Sequence, residues 1–411
     1  MNEVEPRSQK KIWYSYGNMK LSLKDYQGIH FSFNILALYL NRILIQLGFG
    51  VVGIFQVIFI FEKFGSSVSA VALMYAMMFF LTIVLTPLSA MLISSIGMKR
   101  MMMVAMPFAF SINLALLFWD RNPVYAIAWF LFSIAVYKAL YWVPYHVDFA
   151  KFTNKKTRGR QMSVLLAVSA GIGVVTPGIG GFVIMSVGFN SLFLVSLGIL
   201  SFAIVPLFFI DNKAERYSYG YFETFKELLH KKNRALFLGY LGDGAQTGVT
   251  AVVWPIFIFL LLKGEFLIVG VVSSITILLI MAIRFFVGDL LDRWNKKRVL
   301  TIGLILNTTG WIIKLFIETG FQVFLFDTYH KMGRAVNRLS IDATTYDQAS
   351  DNGHYVDEFT VLKEISVNIG KILMLVTIAV VVLFFNLKVA FVLAALASLL
   401  VTHLNRQAAI K

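Results

Sequence analysis

The sequence predicts an all-α integral membrane protein whose twelve transmembrane helices form two pseudo-symmetric six-helix bundles. Of the 411 residues, 58% are hydrophobic and 14% are charged, whereas soluble chains carry about 25% charged residues. The apolar residues also form runs of about 20, the length that crosses the hydrocarbon core of a bilayer. Too little polar surface remains to cover a water-soluble globule of this size.

The apolar runs fall into twelve segments separated by short polar loops. They predict spans 1 to 12 at 33–61, 69–94, 101–119, 124–149, 163–187, 191–210, 235–262, 266–291, 299–317, 321–346, 360–385 and 387–404. The longest polar stretch after the N-terminal arm separates spans 6 and 7. The predicted organisation is therefore an arm, a six-helix bundle, a linker, a second six-helix bundle and a tail, at 1–32, 33–210, 211–234, 235–405 and 406–411.

Lysine and arginine positions predict the orientation. The net charge is +15, and basic residues concentrate in cytoplasmic loops of membrane proteins. With the N-terminus inside, the outer loops hold Lys63, Arg121 and Lys263, while the inner segments hold basic clusters at 1–30, 99–100, 151–160, 213–234, 293–298 and 406–411. We expect both termini in the cytoplasm and a location in the cell membrane. Residues 1–30 lack a short apolar core, so no cleaved signal peptide is predicted.

Two short sequence matches between the halves indicate an internal repeat. Asp148 at the end of span 4 aligns with Asp342 at the end of span 10, and Gln46-Leu47-Gly48 in span 1 matches Gln246-Thr247-Gly248 in span 7. Together with the six predicted spans in each half, these matches favour two similarly oriented bundles.

The loop after span 8 reads Gly-Asp-Leu-Leu-Asp-Arg-Trp-Asn-Lys-Lys-Arg at 288–298. It resembles the Gly-x-Leu-x-Asp-Arg-x-Gly signature of the major facilitator superfamily of secondary transporters. The loop after span 2 is a degraded copy, with Ser94 at the aspartate position. The resemblance implies transport by alternating access, and it places Asp292 and Arg293 in a cytoplasmic latch, with Asp148 and Asp342 as further gating residues.

Two finer resemblances point to different branches of that superfamily. Thr-Pro-Gly-Ile-Gly-Gly at 176–181 is similar to an antiporter element, although such a run of small residues more often serves ordinary close helix packing. The run from Asp342 through Lys363 to Gly370 resembles the glycoside–pentoside–hexuronide cation symporters. That group places cation-binding aspartates in span 2, which contains no acidic residue here. We therefore expect H⁺ rather than Na⁺ as the coupling ion.

Span 10 carries five charged residues on one helical face, because their spacing is four, three, four and four: Asp327, Lys331, Arg334, Arg338 and Asp342. A charge in the bilayer core needs a partner or a water-lined cavity. Pairs of Asp327 with Lys331 and of Arg338 with Asp342 are expected. Arg334 and Lys331 either grip an anionic substrate, with Asp327 beside them, or belong to an ion-pair network that holds the halves in register.

Spans 7 and 11 offer acidic and basic partners. Glycines around Asp243 and Gln246 suggest a locally unwound helix that lines a cavity, where Asp243 binds a cation or proton or simply caps a helix end. In span 11, Glu364 and Lys371 share a face; Glu364 either takes up the coupling proton or forms a salt bridge to span 10.

In span 4, Lys138, Trp142 and Tyr145 predict either a substrate-stacking wall or ordinary core packing. Arg42 and Lys314 are expected to extend their charges to the two membrane surfaces.

The sequence thus predicts a secondary active transporter of a small polar or anionic organic solute, coupled to protons. The alternatives are a drug or metabolite exporter, and a non-transporting receptor or lipid-interacting protein on the same scaffold. No phosphate-binding loop or metal-ligand spacing is present and the cysteine count is 0, so no cofactor, no metal and no enzymatic activity is expected. The expected partners are the substrate, the coupling ion and the lipid bilayer. No nucleic acid is expected, and the chain is expected to be a monomer.

Overall fold

The structure is a computed structural model that describes residues 32–152, 158–214, 217–292, 296–350 and 356–403. Side chains are described within these ranges except at 146–152, 158–164, 166, 284–292, 296–298, 300, 337–350, 356 and 357. Thirteen α-helices account for most of the described chain: α1 Phe33–Lys63, α2 Val68–Ile96, α3 Met98–Leu117, α4 Pro123–Phe152, α5 Arg158–Ala203, α6 Tyr221–Leu229, α7 Arg234–Gly248, α8 Trp254–Leu261, α9 Phe266–Asp292, α10 Lys296–Ile313, α11 Gly320–Ser350, α12 Val356–Val381 and α13 Val389–Leu400.

Eight of the described helical stretches are long and apolar enough to cross a membrane, and two shorter apolar helices accompany them. One stretch, Ala167–Phe209, covers both predicted spans 5 and 6. It is broken at Gly188, whose φ of 81° lies in the left-handed region that favours glycine. Spans 7 to 12 correspond to α7 with α8, then α9, α10, α11, α12 and α13. The all-α class is confirmed. Twelve crossings stay a prediction, because α11 is not among the eight stretches and the apolar helices at Thr301–Phe316 and Val389–Leu400 are shorter.

Close packing joins the two halves near the face that carries the α1–α2, α3–α4 and α8–α9 turns, here called the distal face. A Cβ on Gly181 would lie 2.5 Å from the Phe266 carbonyl oxygen, and one on Gly270 would lie 2.3 Å from the Pro177 carbonyl oxygen. The element at 176–181 thus brings α5 against α9. A second contact joins α2 to α12, since Ser69 Oγ donates to the Ala379 carbonyl oxygen at 2.8 Å.

The glycines of span 7 bring helices together, and the predicted unwinding around Asp243 is wrong. The stretch Arg234–Gly248 is a regular α-helix, and a π-helical turn follows it at Val249–Val253. A Cβ on Gly244 would lie 2.0 Å from the Val367 carbonyl oxygen, and one on Gly370 would lie 2.1 Å from the Leu241 carbonyl oxygen. Because small residues let helix backbones approach this closely, α7 and α12 form one tightly packed pair.

The linker between the halves contains a helix, α6, that the sequence analysis did not predict. The Glu223 carboxylate accepts from the Gly220 backbone N–H at 3.0 Å and caps its start. Tyr221 donates to the Val84 carbonyl oxygen in α2 at 3.2 Å, while Glu358 in α12 accepts from the Ser218 backbone N–H at 3.0 Å. The linker therefore bonds to a helix of each half on the face opposite the distal one, here called the proximal face.

Candidate functional site

Arg334 of α11 contacts three polar side chains of α7 and of the π-helical turn that follows it. The guanidinium of Arg334 donates to Thr247 Oγ1 at 2.7 Å and to Thr250 Oγ1 at 2.9 Å, and it lies 3.4 Å from Asp243 Oδ1. The three acceptors share one face of α7 and its π-helical turn. The Arg334 side chain keeps 24% of its surface exposed.

Gln246 lies behind this group and joins α7 to α10. Its side-chain oxygen accepts from Asn307 Nδ2 at 2.7 Å and from Trp311 Nε1 at 2.9 Å, and its side-chain nitrogen donates to the Gly242 carbonyl oxygen at 3.2 Å. Gln246 is buried. In this conformation its side-chain oxygen binds two groups of α10, and its side-chain nitrogen bonds back to α7 itself.

A second ionic group lies on α11 toward the distal face. Asp327 accepts from Lys314 at 2.8 Å through one oxygen and from Lys331 at 2.8 Å through the other. The predicted pairing of Asp327 with Lys331 across one turn is confirmed. The Lys331 side chain is 31% exposed, whereas that of Lys314 is 0% exposed, so Lys331 lies on the accessible side of the pair.

The expectation that Lys314 extends to the membrane surface is wrong. Its ammonium lies 3.5 Å from the centroid of the Trp254 ring and 4.9 Å from that of Trp311. Aromatic faces attract cations, and the carboxylate of Asp327 completes the environment. Lys314 is thus an internal cation of the second half. Its proximity to Trp254, 60 positions earlier in the chain, has no local sequence signal.

Lys138 in α4 and Lys371 in α12 approach the same aromatic ring from different halves. Their ammonium nitrogens lie 4.8 Å and 4.5 Å from the Phe79 centroid. Lys371 also donates to Asn368 Oδ1 at 3.1 Å, and Lys138 interacts electrostatically with both Glu364 and Lys371. Glu364 is half-buried. These contacts create a charged junction between the halves.

The aromatic residues of α4 enclose a cation of the first half. Trp142 and Tyr145 present their rings to the Arg42 guanidinium, with centroids 4.5 Å and 5.5 Å from Arg42 Cζ. Tyr141, which is buried, donates to Asn41 Oδ1 at 2.7 Å. Arg42 therefore lies against α4, and Trp142 and Tyr145 serve as its partners in this conformation.

Of the remaining predicted gating residues, one lies apart from the groups above, and the side chains of the others are outside the described set. The Lys363 ammonium is 5.6 Å from the Tyr240 centroid, on the proximal side of Lys371. Arg293 lies outside the described residues, and the side chains of Asp148, Asp292, Arg338 and Asp342 lie outside the described set.

Sequence reasoning missed Thr250 and Phe79 as members of these groups. Thr250 lies seven residues after Asp243, a helical spacing that could have indicated it. Phe79 has no such signal, since one phenylalanine among 38 carries no information on its own.

A cavity of about 460 Å³ lies apart from these groups, at the distal face. It is lined by Glu62, Lys63, Asp120 and Gly188 among others.

The sequence matches the model of the Major Facilitator Superfamily over residues 38–340. The chain belongs to this superfamily. A Bacillus subtilis (strain 168) member of the curated proteins, called uncharacterized protein YqgE, is 23% identical over 242 residues, and the match spans 56% of each chain. The chain thus spans about half the length of that relative.

A crystal structure of the nucleoside transporter NupG has a similar fold. The TM-score is 0.67 at 12% identity, and the superposition covers 90% of this chain and 99% of that one. Membership of the superfamily and this architecture identify the chain as a multi-pass membrane protein with an all-α transporter fold. The predicted superfamily is confirmed.

Proposed function

We propose that the chain is a proton-coupled secondary transporter that moves a small polar or anionic organic solute across the cell membrane by alternating access. Both termini lie in the cytoplasm under this proposal, and the chain acts as a monomer. The superfamily supports secondary transport, while the charged groups of the described interior support the choice of substrate.

Arg334 is the observation that carries the proposal. Placing a guanidinium in the middle of a membrane helix costs free energy, and such residues usually mark functional sites. Its hydroxyl partners, Thr247 and Thr250, are neutral, and the Asp243 oxygen is at the long distance of 3.4 Å. A planar guanidinium binds carboxylate or phosphate groups through two parallel hydrogen bonds. An anionic group of the substrate can therefore displace Asp243 while the two threonines keep the guanidinium in position.

Proton coupling follows from the displacement of Asp243 by the substrate anion at Arg334. When a substrate anion takes the guanidinium, Asp243 loses its contact with Arg334 in a largely buried site. A buried carboxylate that loses a nearby cation gains affinity for a proton. Substrate and proton then bind together, which is the requirement for symport. Glu364, which interacts with Lys138 of the other half, is the second candidate proton carrier.

Alternating access requires contacts that break in turn on the two faces. The close packing of α5 on α9 and the Ser69–Ala379 contact keep the halves together toward the distal face. The latch residues predicted from the superfamily signature, Asp292 and Arg293, together with Asp148, Arg338, Asp342 and Lys363, would act on the proximal side. A ligand shifts the two states only by binding them unequally.

Uptake into proteoliposomes with an imposed pH gradient tests the proposal. The panel includes organic acids, sugars, cationic dyes and, because of the structural similarity to NupG, nucleosides. We expect accumulation of an anionic solute by the wild type, loss of at least about tenfold in Arg334→Ala, and partial retention in Arg334→Lys. Arg100→Gln, at an exposed position at the proximal end of α3, serves as the matched control.

Two further variants test the coupling. Asp243→Asn and Glu364→Gln should allow solute exchange without pH-driven accumulation in at least one case. Equal uptake by Arg334→Ala and the wild type would refute the substrate role. Accumulation of cationic dyes alone would favour an exporter, and absence of uptake across the panel would favour a non-transporting protein.

A further inference from the structure

The linker helix α6 buries one side against both halves of the protein. Leu228 is 2% exposed and belongs to an apolar cluster that includes Ile93 of α2 and Val361 of α12. Thr224, one turn before Leu228, is also buried, and its hydroxyl lies 2.9 Å from the Tyr217 hydroxyl. Together with the hydrogen bonds of the linker to α2 and α12, these contacts fix which side of α6 faces outward.

The outward side of α6 exposes two large apolar side chains. Phe222 is 83% exposed, the highest value of any large hydrophobic side chain in the described part of the chain, and Leu229 is 71% exposed. Because they lie seven residues apart, or about two helical turns, they share one face of the helix. Lys226 lies between them on that face and is exposed as well. An apolar face bordered by basic residues is typical of a helix in a membrane interface.

The contacts of α6 hold both of its ends beside segments of the membrane. Tyr221 donates to the Val84 carbonyl oxygen at 3.2 Å, and Val84 lies in a stretch, Val68–Ile96, that is apolar enough to cross a bilayer. At the other end, α7 begins five residues after α6 ends, within a second stretch of that kind. A short helix held in this way lies along the membrane surface, and its outward face meets the lipid.

Basic side chains continue from α6 into the turn that leads to α7. Lys231 and Arg234 are exposed, as Lys226 is, while Lys232 pairs with Glu227 at 2.9 Å. Each lysine or arginine near a surface of anionic lipid strengthens binding roughly fivefold. The position of these cations, next to an exposed apolar face, matches a layer of phosphates above a layer of acyl chains.

We propose that the outward face of α6 is a docking surface for anionic phospholipid in the leaflet on the proximal side. Phe222 and Leu229 enter the acyl chains below the head groups, and Lys226, Lys231 and Arg234 contact the lipid phosphates. The surface uses none of the charged groups of the membrane interior, so this inference does not depend on the proposed transport activity.

Lipid enrichment at α6 can be measured directly, because the chain contains no cysteine. Leu229→Cys carries a single bimane fluorophore on the proposed surface, and Ser66→Cys carries one in the exposed α1–α2 turn of the distal face as the matched control. Each full-length protein is placed in phosphatidylcholine nanodiscs that contain the same mole fraction of spin-labelled phosphatidylglycerol or spin-labelled phosphatidylcholine. We expect quenching at position 229 to be at least about threefold stronger with the anionic lipid, and quenching at position 66 to be equal for the two lipids.

Charge variants test the role of the lysines. Lys226→Gln combined with Lys231→Gln should lower the preference at position 229 by at least about threefold. Lys226→Arg should retain the preference, and a higher salt concentration should weaken it because the charges are exposed. Phe222→Cys provides a second labelling position on the same face should Leu229→Cys fail to fold.

Equal quenching of the label on α6 by the two lipids overturns the proposal, as does an unchanged preference in the double lysine variant. Two results would assign the surface to another occupant and also overturn the proposal. Protection of the label in detergent that grows with protein concentration would indicate a second copy of the chain. Loss of the preference with inorganic phosphate, but not with chloride at the same ionic strength, would indicate a site for free phosphate.

Discussion

The Lys314–Asp327 pair is predicted to be the energetically most costly polar contact to break in the described interior. Asp327→Asn is the informative change, because it keeps the side-chain shape and removes the charge. Asp327 has 4% of its side chain exposed and Lys314 has 0%, with 2.8 Å between nitrogen and oxygen. Removing one partner of such a buried pair leaves an uncompensated charge and costs about 3–5 kcal/mol.

The shared geometry of Asp327 makes the three single variants unequal. Asp327→Asn removes the carboxylate from both lysines, so it should cost the full amount. Lys314→Met leaves Asp327 paired with Lys331 and should cost less. Lys331→Met removes a partner that is 31% exposed, and partly solvated pairs contribute up to about 1 kcal/mol. The double variant Lys314→Met with Asp327→Asn should be more stable than Asp327→Asn alone by about 2 kcal/mol or more.

Reversible unfolding in mixed micelles with increasing SDS mole fraction measures these differences. The wild type, Lys314→Met, Asp327→Asn and the double variant form a double-mutant cycle, which isolates the coupling between Lys314 and Asp327. Lys331→Met is measured beside this cycle. A coupling near zero, or a cost of Asp327→Asn no larger than that of Lys331→Met, would refute the argument. Either result would mean that water or another group compensates Lys314, despite its contacts with Trp254 and Trp311.

Three further predictions concern helix contacts. Gly244→Leu should destabilise the fold by about 1–3 kcal/mol or prevent folding, because its Cβ would meet the Val367 carbonyl oxygen; unchanged SDS unfolding would contradict this. Gln246→Leu should cost about 1–3 kcal/mol and shift the fluorescence of Trp311, whose N–H loses its acceptor; an unchanged spectrum would count against the contact. Tyr221→Phe should increase protease cleavage of the linker, since the hydrogen bond to α2 is lost, and equal cleavage of both proteins would exclude that role.

Hydropathy and charge spacing predicted the fold class and the helix positions well. Apolar run length alone placed α1 to α5, and the four-three spacing on span 10 correctly paired Asp327 with Lys331. These features depend on neighbours within one helix, for which sequence distance is a direct measure of spatial distance.

Contacts between helices explain why the predictions for span 7 and for Lys314 were wrong. The glycines around Asp243 predict unwinding when span 7 is considered alone, whereas the carbonyl groups that they approach belong to α12 and α13. Lys314 was assigned to the surface from its position near a helix end, and the rings that bury it come from α8 and α10. Apolar run length cannot locate the linker helix α6, because its nine residues lie in a polar stretch of the chain.

Asp327 and Asp243, two carboxylates of the second half, differ in their contacts, and we therefore expect them to have different roles during transport. Asp327 holds two lysines at 2.8 Å in a buried site, and exchanging either lysine for a substrate would leave the buried charge partly uncompensated. Asp243 lies 3.4 Å from an arginine that two hydroxyl groups already hold. Losing this longer contact costs less, and a substrate anion can replace it directly. Under the proposed function, we therefore expect the Asp327 ion pairs to remain formed throughout the transport cycle and to orient α11, and we expect the Asp243–Arg334 contact to break and re-form with each substrate.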